Sequence, residues 1–344
     1  MQTRAKLMGR REAVKRGGLL AGAIVLSGHA ATTIEFPHPP TFSDFRKTWN
    51  IAKEEERIDA QVEFFKAAMF SSGDIRKIRL RKGKQELVGA GVQGKFDDDI
   101  PADLLRKAAA LDPKNPMIWA ALSFRLLAET QRSETAFGEA FSAVDHLTEV
   151  DPDNKLARYI RAALLAKQKK FSGSAQALSS ATECRTLNTY MAEMRRCVIV
   201  ACEAVGFSKF TARLVACGAT CDVVTFSTIG KAVAEHEEFD VGSSRECLQM
   251  GRRMEKESST FLEELVAFSV QVKALKKLND PELVTVERQQ KERREAIKRY
   301  DTILESKEAH SLPEKTWVEY YDRMYEAGEG RAVEWLSERI GKKS

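Results

Sequence analysis

Two five-residue phrases, Leu111-Asp112-Pro113-Lys114-Asn115 and Val150-Asp151-Pro152-Asp153-Asn154, stand 39 residues apart in a chain of 344. Each closes one apolar helical pattern and opens the next. Proline has no N–H to continue a helix and disfavours helical backbone at the residue before it, so an Asp-Pro step ends a helix. The asparagine that follows is a preferred N-cap for the next one. A unit of this length repeated along a chain is the mark of paired helices that stack on neighbouring pairs. Such arrays present long surfaces to other chains, so the pattern points to binding before catalysis.

The helices around these phrases can be read from their apolar spacing. Pro101 opens a short helix that ends near Leu111, and Asn115-Pro116 supplies a cap and a preset first turn. Trp119, Leu122, Leu126 and Leu127 fall on one face of the next helix, and Phe137, Ala140, Phe141, Val144 and Leu147 on one face of its partner, with a loop near 130–134 between them. This pair resembles a tetratricopeptide repeat. Trp119, Leu122 and Ser123 match that family's first helix, Phe137 and Ala140 its second, and Asp151-Pro152 its closing turn. Ala162, Leu165, Phe171, Leu178 and Ala181 carry a second unit, in which Arg161 stands where the family has Leu. The resemblance covers about 100–183. It implies an all-α fold, a TPR-like α-solenoid of antiparallel helix pairs with divergent C-terminal helices, that binds another protein. Trp119, Leu122, Phe137 and Leu165 are then core, and partner contacts fall to Arg125, Lys155, Arg158 and Arg161 on the first helices. Four basic groups suit an acidic peptide or a carboxylate.

Residues 1–31 read as an export signal or N-terminal anchor. A basic stretch precedes the apolar run Gly17–Leu26, and small residues follow around Ala30-Ala31. That run is short for crossing a bilayer. Arg10-Arg11-Glu12-Ala13-Val14-Lys15 resembles the twin-arginine export motif, departing from it at Gly9 and Ala13, and implies a bacterial-type protein that is translocated folded. The expected location is the periplasm, or the membrane face if the segment stays uncleaved. The leader's six Lys and Arg against one Glu account for the whole formal charge of +5. The remaining body is neutral, which argues against nucleic acid as a partner, since backbone phosphates call for a basic face.

Residues 32–98 combine a linker at Phe36–Pro40, an amphipathic helical pattern over Phe42–Met69 and a basic, Gly-rich loop over 73–98. Gly89-Ala90-Gly91-Val92-Gln93-Gly94-Lys95 has the glycine spacing of a phosphate loop, but Phe96 stands where a magnesium-holding hydroxyl belongs and Asp97-Asp98-Asp99 would repel phosphate. Nucleotide binding is not expected. The basic run at 76–84 is a solvated face, or a contact to anionic lipid near a membrane.

The region 184–279 is helix-rich and holds Cys184, Cys197, Cys202, Cys217, Cys221 and Cys247. No Cys-x-x-Cys pair occurs and the five histidines are scattered, so neither a metal nor a cofactor is expected. In an exported body, Cys197 or Cys202 could pair with Cys217 or Cys221, with buried thiols as the alternative. Residues 280–344 read as a long charged helix followed by a helical hairpin carrying Trp317, Tyr320, Tyr321, Met324, Trp335 and Leu336, with Ser311 and Glu314 as a capping box. The chain has no nucleophile elbow and no metalloprotease motif. The expected function is a non-enzymatic interaction or scaffold protein of the cell envelope. The alternative is an exported helical enzyme or a cofactor or metal carrier that uses the cysteine-rich middle.

Overall fold

The computed structural model describes residues 100–130, 134–204, 208–218, 225–304 and 306–341. The leader, the linker, the amphipathic helix of 42–69 and the Gly-rich loop lie outside the described residues, as does Cys221. Within them the chain is all helical, with one isolated parallel bridge between Asn154 and Thr186.

The repeated phrase builds the same device twice. α1 (Ile100–Leu111) leads into α2 (Pro116–Glu129), whose cap Asn115 accepts a hydrogen bond from the Met117 N–H at 3.1 Å and donates from Nδ2 to Asp112 Oδ2 at 3.0 Å. α3 (Ala136–Val150) leads into α4 (Lys155–Lys167), where Asn154 accepts from the Leu156 N–H at 3.1 Å and donates to Asp151 Oδ2 at 2.9 Å. The Asp before proline thus fixes the rotamer of the Asn that caps the helix, and the cap satisfies an N–H that would otherwise lack a partner.

After α5 (Phe171–Ser180) and a 3₁₀ turn come α6 (Met191–Ala204), α7 (Lys209–Gly218), α8 (Phe226–Glu235), α9 (Val241–Glu257) and α10 (Phe261–Leu278). α11 (Leu283–Leu304), the one-turn α12 (Lys307–His310), α13 (Glu314–Ala327) and α14 (Glu329–Gly341) complete the chain. From α1 to α5 each helix packs on the next, and α2 also packs on α4. The packing then passes over α6 and α7: α4 meets α8, α5 meets α9, and α10 packs on both α8 and α9. α6 and α7 pair with each other, and α7 rests on α13.

One apolar core runs through α1–α10 and centres on Ile118, Leu126, Leu127, Leu147, Leu156, Tyr159, Ile160 and Phe226. The Phe226 ring meets Phe124 and Tyr159 edge-on, at 5.7 and 6.3 Å between centroids. Leu122 is buried, whereas Trp119, Phe137 and Leu165 are half-buried against this core. Trp119 keeps its indole N–H bonded to the Pro113 carbonyl at 2.7 Å and its ring stacked on His146. A second core gathers Trp317, Tyr320, Tyr321, Met324 and Leu336 around Phe261.

α11 is the long charged helix, and of its residues Val286, Ala296, Ile297 and Leu304 are buried. The capping box expected at Ser311 and Glu314 does not form. Pro313 occupies the N-cap of α13 without a side-chain bond, and Ser311 Oγ donates to the Glu308 carbonyl at 2.8 Å, closing α12. The capping box lies instead at Thr260 and Glu263, at the start of α10.

Candidate functional site

The four basic residues expected to meet a partner are drawn into different surroundings. Arg125 pairs with Glu129 one turn along α2, at 2.8 Å. Arg161 pairs with Asp145 of α3 and lies over the Phe141 ring at 5.8 Å. Lys155 turns into the seam between α4 and α9, where its ammonium donates to Glu246 at 2.8 Å. Arg158 is half-buried and has no ion pair among the described residues. α4 packs on α2, α3, α5 and α8, and its Lys155 and Tyr159 reach Glu246 of α9. Of its half-exposed residues, Lys155 reaches α9, Arg161 reaches α3, and Lys167 donates to the Leu127 carbonyl of α2 at 2.8 Å.

Glu246 explains the path of Lys155. This carboxylate is 5% exposed, and the same oxygen that takes the Lys155 ammonium also accepts the Tyr159 hydroxyl at 2.7 Å. A buried carboxylate is tolerated when paired and hydrogen-bonded, and here a cation and a phenol share that task. Burial, then Glu246, pushes the Tyr159 hydroxyl well above the ordinary phenol range, so it stays a donor.

A second buried pair joins α6 to α10. Arg195, 5% exposed, donates to Glu263 at 2.6 Å and to Ser259 Oγ at 2.7 Å, and lies over the Tyr325 ring at 5.3 Å. Glu263 also accepts the Ser259 N–H at 2.6 Å and the Thr260 N–H at 3.1 Å. Neither buried pair stood out in the sequence, because their partners lie 68 and 91 residues apart. The one local signal was the Thr-x-x-Glu spacing at 260–263.

The thiols are poor candidates for chemistry. Cys184, Cys197 and Cys247 are free, and the first and last are buried. Burial pushes Cys247 up to about 12 and raises Cys197 as well, so both are protonated near neutral pH and weakly nucleophilic. The side chains of Cys202 and Cys217 lie outside what is described. Among the described residues no group of three or more His, Cys, Asp or Glu side chains is placed to hold a metal ion. No described helix is long and apolar enough to cross a membrane. Comparison with protein families, curated sequences and solved structures gives no match.

Proposed function

We propose that the helical body is a TPR-like solenoid acting as an interaction scaffold of the bacterial cell envelope, delivered there by the N-terminal signal. The observation that carries this reading is the repeated cap. Asn115 and Asn154 make the same two hydrogen bonds at the same step of successive helix pairs, as a duplicated unit would. The order of packing supports it. In a stack of helix pairs each first helix meets the next first helix, and the succession α2, α4, α8, α10 follows that rule once α6–α7 is taken as an inserted hairpin. The partner is another protein presenting acidic groups, and the protein itself performs no catalysis.

Affinity capture of the full-length chain after cross-linking in its native cells tests this. A stoichiometric envelope protein, recovered with bait processed near Ala30, is the expected result. Recovery of no partner, with bait confined to the cytoplasm, would overturn it.

A further inference from the structure

The first helices of the proposed stack carry a second set of cations. α8 packs against α10 so closely that a Cβ placed on Gly230 would lie 3.2 Å from the Val270 backbone and 3.4 Å from Cδ of Lys273. The stem of Lys273 thus runs across α8 beside Gly230, which precedes Lys231. Lys231 is 66% exposed, and its nearest carboxylate, Glu235, is 4.0 Å away.

Lys273 is half-buried and has no hydrogen bond or ion pair among the described residues. Its neighbour Lys277, one turn on, donates to the His236 carbonyl at 2.8 Å, as lysines near a helix C-terminus do. Lys273 has no such carbonyl. Burial holds its ammonium below the ordinary lysine range; Cys247 and Glu235 oppose that fall, and Lys231 adds to it. Two cations therefore face one seam with one loosely held carboxylate between them. That arrangement is relieved by an anion from outside.

The surroundings say what kind of anion. Leu262, Leu265, Ser269 and Val272 are half-buried on the side of α10 that carries Lys273 and Lys276, the three apolar ones packed on one flank against the cores and open on the other, while Ser227 and Ala234 flank Lys231 on α8. We infer that the α8–α10 seam is a carboxylate-receiving subsite, where Lys231 and Lys273 together hold an acidic side chain of a partner segment whose apolar residues lie on Leu262 and Val272. This rests on the scaffold reading and names the chemistry of its partner. It also moves the expected contact surface from α4, where Lys155 and Arg161 hold carboxylates of neighbouring helices, to a seam where, among the described residues, Lys273 has no ion pair and Lys231 meets Glu235 at 4.0 Å.

The test uses the full-length protein and a short labelled peptide of alternating Glu and Leu, with its Gln counterpart as control, read by fluorescence anisotropy. The expected result is salt-sensitive binding of the Glu peptide that falls roughly tenfold or more in K231Q/K273Q. R288Q/K291Q, which removes two exposed cations from α11, should leave binding unchanged. A matching thermal melt shows that the first variant is folded; if it is not, K231Q alone carries the comparison, since that side chain is largely exposed. Equal binding by wild type and K231Q/K273Q, equal loss in R288Q/K291Q, or equal affinity for an oligothymidylate would each overturn the subsite. Cross-linked capture with K231Q/K273Q separates the two proposals. A partner retained by both wild type and variant sinks the subsite alone, whereas no partner with either sinks the scaffold itself.

Discussion

Asn115 and Asn154 cap helices in the same way, yet the second asparagine has more to lose. Beyond its cap, Asn154 Oδ1 accepts the Asn188 N–H at 3.0 Å, and its Nδ2 lies 2.9 Å from the Asn188 carbonyl and 3.3 Å from the Tyr190 hydroxyl. Residues 185–188 run beside 153–155, and the Lys155 N–H donates to the Thr186 carbonyl at 2.9 Å. The first turn cannot copy this, because Pro116 stands where Lys155 does and has no N–H to give. Asn115→Ala should therefore cost about 1 kcal/mol, the value of a lost cap. Asn154→Ala should cost about 2–4 kcal/mol, because buried partners are left unsatisfied as well. Urea denaturation of the two variants decides this, and equal losses would show that the 185–190 segment contributes nothing. A second prediction concerns pH. Burial raises Cys247, Tyr159 and Tyr190 above their ordinary values, so folding favours their neutral forms. Each contribution is whole below the unfolded group's value, about 9 for the thiol and 10 for the phenols, and is lost as pH rises through the folded value. Stability should fall steadily above pH ~9, and Cys247→Ala should flatten the first part of that fall in urea midpoints taken across the range. An unchanged slope would remove Cys247 from the account.

At the scale of elements, α10 packs on α8, α9 and α11 and receives side chains from α6 and α14 at its N-terminus. Glycines let two neighbours approach it: Gly230 from α8, and Gly251 from α9, where a Cβ would meet Cγ of Gln271 at 2.7 Å. Its N-terminus is closed by carboxylates from two places, since Glu263 takes the Ser259 and Thr260 N–H groups and Glu329 takes that of Phe261 at 2.8 Å. Arg195 then neutralises Glu263 from α6. Removing the cation alone leaves a buried carboxylate unpaired, so Arg195→Ala should cost about 3–5 kcal/mol. R195M/E263Q should cost less, because it leaves no buried charge and Gln still serves a capping box. Denaturation of both variants checks the order, and a double variant weaker than the single one would mean that the ion pair itself stabilises the junction. The buried faces of α2, α3 and α13 were legible beforehand, whereas for α8–α10 only a helix-rich stretch was. Leu122, Leu126, Leu147 and the aromatic stripe Trp317–Met324 declared themselves by helical spacing, because that spacing is set by local geometry. Arg195, Glu246 and Lys273 did not, because a charge in the sequence looks the same whether solvent or a distant helix receives it. The Ser311–Glu314 box failed for a local reason: Pro313 already occupied the cap position.

For the whole molecule, the deciding feature is that packing passes over α6–α7. α4 meets α8 and α5 meets α9 as if the hairpin were absent, while α7 leans on α13 through Arg213, which reaches Asp322 at 2.6 Å and Glu203 at 2.7 Å. The Tyr325 hydroxyl adds a bond to the Arg213 carbonyl at 2.7 Å. The hairpin thus joins the far end of the chain to the middle, and it meets the succession α2, α4, α8, α10 at α10 through the Arg195–Glu263 pair. If that succession is a stack, its members are coupled through a continuous run of shared interfaces and should open together. The inserted hairpin shares fewer and should open at lower free energy. Native-state hydrogen exchange should then find α4, α8, α9 and α10 protected to a common level, with α6 and α7 exchanging sooner as one unit. Arg213→Ala, which releases the hairpin from α13, should speed exchange in α6, α7 and α13 and leave α8–α10 unchanged. Uniform acceleration across all of these helices would mean that α6–α7 belongs to a single cooperative body, and the reading of the chain as a stack with an insertion would have to be given up.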